Sequence, residues 1–361
     1  MPEALKHAYN QKYLQQVADE VSRHCKGFDK AGFLALVFDD EWQARELKAR
    51  MSHIRYCLHE VLNLPFTEAV PVLCNAAPEF GGFEAMFFPD YVEAYGQGHW
   101  EVSLSALEWL TRFSSSEFAV RPFIIADQER MMAQMCQWAE DENYHVRRLA
   151  SEGCRPRLPW AQSLPKFKAD PTLILPILNR LKADDSDYVR RSVANNLNDI
   201  AKDNPTHTLV WAQKNKGQTP QTDWIIKHGC RTLLKQAHPE VMVLFGYHGV
   251  ESIEVTDLQL SQPDVAIGEE LEFKFLLRSS ESKLGKLRIE YEIGYMKANG
   301  KLSYKVFNIS EGEFSEKEKL FNTKQSFRIM STRKHYSGEH RLRIRINGIE
   351  KASQSFELFE A

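Results

Sequence analysis

Apolar and polar residues change period part-way along the chain. Residues 1–70 show apolar positions such as Leu34, Leu36, Val37 and Phe38 at helical spacing. The aromatic stretch 77–96 contains Gly81-Gly82 and Pro89 and predicts a loop with short helical turns. From about 100 to 235, helical segments come in pairs separated by short polar breaks. The second member of each pair presents an apolar residue followed by a basic one: Val120-Arg121, Val146-Arg147, Val189-Arg190 and Ile226-Lys227. Their separations of 26, 43 and 37 residues are irregular periods of the kind that helix-pair repeats show. Such a pair buries its apolar face only against its neighbours, so a curved HEAT-like array with a concave surface is expected.

After residue 245 the period becomes two. Residues 251–259, 270–278, 286–296, 302–309, 325–331, 340–347 and 352–359 alternate apolar and polar, and turn signals such as Asn299-Gly300 and Asn347-Gly348 separate them. Seven short strands in about 110 residues indicate an immunoglobulin-like sandwich. The expected fold is therefore multi-domain, α then β. A HEAT-like repeat α-solenoid over residues 1–245 is followed by an immunoglobulin-like β-sandwich over 246–361, with FGYHGV (245–250) as the hinge.

Composition is ordinary for a globular protein, with 43% hydrophobic and 26% charged residues. No apolar run is long enough to span a bilayer, and the polar N-terminus has no apolar signal core, so a cytoplasmic protein is expected. The six cysteines (25, 57, 74, 136, 154, 230) form no CxxC pair, which argues for free thiols and against a zinc cluster. The net charge of −3 hides an asymmetry. Residues 1–140 carry 12 Lys+Arg against 20 Asp+Glu, whereas residues 141–235 carry 16 against 10, a local balance of +6. A basic middle in an acidic chain points to an anionic partner.

In a helical repeat, equivalent side chains form a row. Arg121, Arg147, Arg190 and Lys227 form one such column, and Arg148, Arg191 and His228 a second; either suits a phosphate backbone. The competing reading of the first column is structural, each arginine bridging to an aspartate of the adjacent repeat. The segment SEGCRPRLPW (151–160) places Arg155, Arg157 and Trp160 beside two prolines that stop the preceding helix. It reads as a rigid surface loop whose arginines bind phosphate and whose Trp wedges against bases, or else as a loop over a buried Trp. Three carboxylates, Glu117, Glu152 and Asp199, lie among these cations. A carboxylate near phosphate is costly unless it has a task, such as stabilising an oxocarbenium-like sugar and positioning water. Glu117 could otherwise cap a helix, and Asp199 could pair with an arginine of a neighbouring repeat. Walker A, GxGxxG, HExxH and GxSxG motifs are absent, and His53, His59, His145 and His228 lack ligand spacing.

The segments SSSEFAVRPF (114–123), NYHVRRLASEGCRPRLPW (143–160), DYVRRSVANNLNDIAKDNP (187–205) and WIIKHGCRTLLKQ (224–236) resemble the AlkC family of bacterial 3-methyladenine DNA glycosylases, in the HEAT-like-repeat superfamily shared with AlkD. The β-sandwich resembles the tail of the longer AlkC subtype, so the resemblance covers essentially the whole chain. It implies base-excision repair of alkylated double-stranded DNA by a monofunctional enzyme. The substrate would be mainly N3-methyladenine, with N3-methylcytosine and N1-methyladenine as lesser ones, and no cofactor or metal would be needed. It implies that Glu117, Glu152 and Asp199 are catalytic. With the basic positions above it makes Arg121, Arg147, Arg148, Arg155, Arg157, Trp160, Arg190, Arg191, Lys227 and Arg231 the DNA-binding set. The superfamily's habit of bending the duplex without a base-flipping pocket suits a wedge such as Trp160, and the loop 331–338, with Arg333, Lys334 and His335, is a candidate contact. A monomer with no membrane association, in the bacterial cytoplasm with the nucleoid, is expected. The alternative is a non-catalytic scaffold that binds DNA or protein.

Overall fold

The helix Asp187–Asp203 shows how the first part of the chain folds. Val189, Ser192, Val193, Asn196, Leu197 and Ile200 recur at helical spacing and are all buried. Fully burying each aliphatic side chain of such a stripe contributes about 1.5–3 kcal/mol. This helix packs on Tyr144–Glu152 before it and on Pro220–Gly229 after it. These three are the second members of successive pairs. The first members Gln128–Trp138 and Leu175–Leu181 also pack on each other. The result is a stack of helical hairpins, as the repeated apolar–basic pair predicts.

The computed structural model describes residues 5–329 and 334–360. Contacts divide the chain into two units, Met1–Gly229 and Cys230–Ala361, so the division falls ahead of the 245–250 segment. The stretch 77–96 is more regular than its glycines and proline predict. Two single turns, Ala77–Glu79 and Phe83–Met86, lead into an α-helix, Phe87–Tyr95. Pro89 stands in the first turn of that helix, where its missing N–H has no partner to lose.

The second unit contains eight strands among the described residues: β1 (Ile253–Leu260), β2 (Asp264–Ala266), β3 (Glu270–Ser279), β4 (Gly285–Met296), β5 (Leu302–Phe314), β6 (Glu318–Ser326), β7 (Gly338–Ile346) and β8 (Ile349–Phe359). They form a three-stranded sheet, β1-β3-β6, and a five-stranded sheet, β2-β8-β7-β4-β5, with one apolar core including Phe275, Ile293, Ile344 and Phe356. The strand expected at 325–331 is corrected over its described part, residues 330–331 lying outside the described residues: β6 begins at Glu318 and ends at Ser326. Its pairing with β3, Phe275 opposite Phe321, sets that register. Local alternation in 325–331 was outweighed by a cross-strand partner that the sequence does not display. The Asn347-Gly348 turn behaves as read, both residues taking positive φ (48° and 82°) between β7 and β8.

Among the described residues no helix is long and apolar enough to cross a membrane. All six cysteines are free thiols.

Candidate active site

Asn143 caps the helix Tyr144–Glu152, its Oδ1 accepting from the His145 amide at 2.9 Å. The helix ends at Glu152, where the backbone dipole disfavours a carboxylate. Two arginines compensate. Arg155 Nη1 donates to Glu152 Oε1 at 2.6 Å, and Arg148 Nη2 lies 3.4 Å from the same oxygen. Close packing sets the height of this corner: a Cβ on Gly153 would stand 2.6 Å from Val120 Cγ2, so only glycine lets the Glu117–Val120 turn approach.

The charges alternate along one line. Arg148 Nη1 donates to Glu117 Oε2, which also accepts from Ser115 Oγ at 2.7 Å. Arg155 reaches the other way and donates through Nε to Asp199 Oδ2 at 2.9 Å. Asp199 Oδ1 takes Lys202 Nζ at 3.0 Å. Glu117, Arg148, Glu152, Arg155 and Asp199 therefore form one chain of three carboxylates and two guanidiniums. It joins three segments far apart in sequence. Burial alone would lower both arginines. For Arg148 the charges of Glu152 and Glu117 reverse that effect, and for Arg155 those of Glu152 and Asp199 do, so both are held above their ordinary range. The Arg148 guanidinium also stacks 4.8 Å from the Tyr188 ring centroid.

Exposure grades the three carboxylates. The side chain of Glu117 is 15% exposed, that of Glu152 6% and that of Asp199 2%. Glu117 borders a groove of about 370 Å³ lined by Phe83, Met86, Phe113, Ser115, Arg148 and Tyr188, among others. Among the described residues no cluster of three or more His, Cys, Asp or Glu side chains is placed to hold a metal ion.

The basic columns separate into different roles. Arg121 does not line a wall: it is 1% exposed, and its guanidinium donates to the carbonyls of Gly153, Arg155 and Gln162 at 2.9, 3.0 and 2.5 Å. Burial lowers it to about 10. Arg147 and Arg190 do the same job one repeat apart. Each donates to the carbonyls five and six residues before it, Glu142 and Asp141 for Arg147, Asp185 and Asp184 for Arg190. Arg147 also forms a two-armed pair with Asp184 of the next repeat, at 2.6 and 3.0 Å. The expectation that Arg121 grips phosphate is thus corrected, because it is buried; Arg147 and Arg190 are part-exposed and spend these donors on carbonyls and, for Arg147, an aspartate. The apolar–basic pair is a joint between and within repeats, and its arginines are used on carbonyls and an aspartate. Arg155 likewise belongs to the buried charge chain, and Arg148, at the edge of the groove, is used on Glu117 and Glu152.

Arg157 and Arg191 do face outward, paired with Asp203 and Asp187. Lys227 is exposed on the helix Pro220–Gly229, and Arg231 falls in the second unit. Trp160 is 69% exposed and takes φ +65°, so it is no core residue. Lys334 and His335 border a cavity of about 260 Å³ with Lys297, Tyr304 and Lys305; Arg333 lies outside the described residues.

Four residues of the groove were not among those the sequence singled out for the site. Tyr188 and His145 occupy the same position, the residue before the valine of each apolar–basic pair, and their rings meet at 5.8 Å. That equivalence was available as a signal. Phe83 and Met86 reach the groove from a segment outside the repeats, and nothing local marks them.

Comparisons with known proteins bear on the whole assembly. Residues 101–233 match the model of the DNA alkylation repair enzyme family, and residues 254–360 match that of the YhaZ C-terminal Ig-like domain. The uncharacterised protein YhaZ of Bacillus subtilis is 46% identical over 355 residues, spanning 98% of this chain and 99% of that one. The alkylpurine DNA glycosylase AlkC of Pseudomonas fluorescens, solved bound to DNA containing an abasic site analogue, superposes with a TM-score of 0.95. It is 36% identical, with 99% of this chain and all of that one covered. The chain belongs to the AlkC family of DNA alkylation repair glycosylases. The AlkC match takes in the helical repeats that hold the charge chain and the Ig-like sandwich together, whereas each family model covers only one of them.

Proposed function

We propose that this protein is a monofunctional DNA glycosylase that hydrolyses the N-glycosidic bond of small cationic alkylated bases, mainly N3-methyladenine, with N3-methylcytosine and N1-methyladenine as lesser substrates. The observation that carries this reading is the gathering of Glu117, Glu152 and Asp199 into one chain beside a groove, with only Glu117 at its edge. A base methylated at N3 already bears a positive charge. When the C1′–N bond breaks, its electron pair leaves with the base, which departs neutral and needs no general acid. The protein has two remaining tasks: to stabilise the sugar cation at C1′ and to hold the attacking water. Carboxylates suit both, the water's proton passing to one of them as its oxygen bonds to C1′. In this reading Glu117, at the groove's edge, meets the sugar, and Glu152 and Asp199 supply negative potential behind it.

Trp160 supports a mechanism in which the duplex is bent and not fully flipped: an exposed indole on a braced loop is the form of side chain that enters a base step. Arg157, Arg191 and Lys227 are the candidates for phosphate contact. The protein would act as a monomer on double-stranded DNA. The test is to incubate it with duplex carrying N-methylated purines and analyse the bases set free. Release of free 3-methyladenine is expected. Salt-sensitive binding without release would instead make it a non-catalytic DNA-binding scaffold, and no binding a protein-binding one.

A further inference from the structure

The loop that carries Trp160 is held at three carbonyls. Arg121 takes those of Arg155 and Gln162 from inside. The third, that of Trp160 itself, accepts a hydrogen bond of 2.7 Å from Lys48 Nζ, across 112 residues of sequence. Lys48 stands in the first turn of the helix Leu47–Leu62, which belongs to the N-terminal part of the chain and not to the basic segment 141–235. The same ammonium lies 5.0 Å from the ring centroid of Phe118, the residue after Glu117. Behind it are Asp90 and Glu93: burial raises both carboxylates, and the charge of Lys48 opposes that rise. Lys48 is itself exposed, so it is not required to complete a core.

Its acceptor is unusual. Trp160 has φ +65°, a conformation that bulky residues avoid and keep only when their surroundings enforce it. Nothing encloses the indole, which is 69% exposed, so the enforcement must come from the backbone. A wedge that enters a base step is pushed back by the stack it opens, and a loop free to relax would yield. Arg121 fixes the residues on either side of Trp160, and Lys48 fixes the peptide of Trp160 itself.

We propose that Lys48 is a positioning residue for the Trp160 wedge, holding the tryptophan carbonyl so that the indole stays presented to the duplex. This rests on the reading of Trp160 as the wedge. Lys48 touches neither the lesion nor the reacting atoms. Its effect is on how often bound DNA is opened, and not on how tightly DNA is bound.

The experiment uses the full chain as wild type, K48M, K48R, W160A and the double variant K48M/W160A. Base release is measured in single turnover at saturating protein on duplex bearing N3-methyladenine. Unstacking is read from 2-aminopurine placed beside an abasic-site analogue, a signal that needs no chemistry. Loss of one charged hydrogen bond at this loop should lower both release and unstacking about tenfold in K48M, with affinity changed by less than about threefold. K48R should recover most of the loss, because a guanidinium can still donate to the carbonyl. The double variant should be no slower than W160A, since two residues acting through one wedge are not additive.

Wild-type behaviour of K48M, with W160A impaired, overturns the role given to Lys48 and leaves the wedge standing. A K48M defect that appears as weaker binding and multiplies with that of W160A also overturns it, making Lys48 a phosphate contact. Wild-type unstacking and release in W160A would remove the wedge, and the inference with it. Normal unstacking by the wild-type protein with no base released would count against the proposed reaction and not against Lys48.

Discussion

Arg155 and Asp199, 44 residues apart in sequence, are joined at 2.9 Å inside the protein, and the other arm of the same guanidinium holds Glu152 at 2.6 Å. Both carboxylates are almost fully buried. Two buried anions are tolerable here because one cation lies between them, with Arg148 and Lys202 on their outer sides.

Removing that cation should therefore cost stability before it costs anything else. R155M leaves Glu152 and Asp199 without their shared partner and is expected to destabilise the protein by about 3–5 kcal/mol. In a helical unit of this size that is a fall in Tm of roughly 10 °C, measurable by differential scanning calorimetry. R155K, which keeps the charge but not the two-armed geometry, should fall between.

The amide variants E117Q, E152Q and D199N preserve shape and remove charge. Each is expected to slow base release about 100-fold or more, in the range seen when a preorganised electrostatic group is removed, with binding to abasic-analogue duplex kept within a few-fold. D199N should also lower Tm, because Arg155 and Lys202 both lose their anion. E117Q, at the edge of the groove, should lower it less. Full rates in all three variants would mean that the catalytic assignment is wrong.

The two kinds of arginine should separate under salt. R121M abandons three carbonyls in the interior and is expected to cost roughly 3 kcal/mol of stability, while the slope of log binding constant against log salt stays unchanged. R191A removes an exposed guanidinium and should leave Tm in place. If Arg191 neutralises one phosphate, the slope should fall by about 0.9. Isothermal titration at several salt concentrations reads both.

Glu93 gives stability a pH dependence of its own. Burial, reinforced by the charge of Asp90, raises its carboxyl to about 7, above the value of an unfolded glutamate. The folded state then binds the proton more tightly than the unfolded one, so the group's favourable contribution is complete below about pH 4.5 and is lost as pH rises through 7. E93Q should match wild type near pH 4.5 and be more stable by about 2–3 kcal/mol at pH 8. Equal Tm values at pH 8 would show that Glu93 is not held in this way.

Local pattern sufficed for the architecture. Helical spacing, the repeated apolar–basic pair, the switch to period two and the Asn347-Gly348 turn each report on residues within a turn or a hairpin of one another. That range is short enough for the chain to display it. The four segments that carry the family resemblance likewise hold Glu117, Glu152 and Asp199 in view. Spacing could not say what the arginines beside them do. Arg148 and Arg191 hold the same place in the repeat, yet one bridges Glu117 and Glu152 while the other points outward. A cation is a joint or a contact according to which acceptors the fold brings within about 3 Å, and those acceptors lie on other helices. The same holds for Lys48, whose carbonyl partner is 112 residues away, and for Phe83 and Met86 at the groove. The sequence by itself determined the helical repeats, the sandwich after them and the inventory of charges, though not the helix Phe87–Tyr95 or the bounds of β6. Only the tertiary structure decided which charges cancel one another inside and which remain exposed, because charge pairing depends on distance in space, and the repeats bring together what the chain keeps apart.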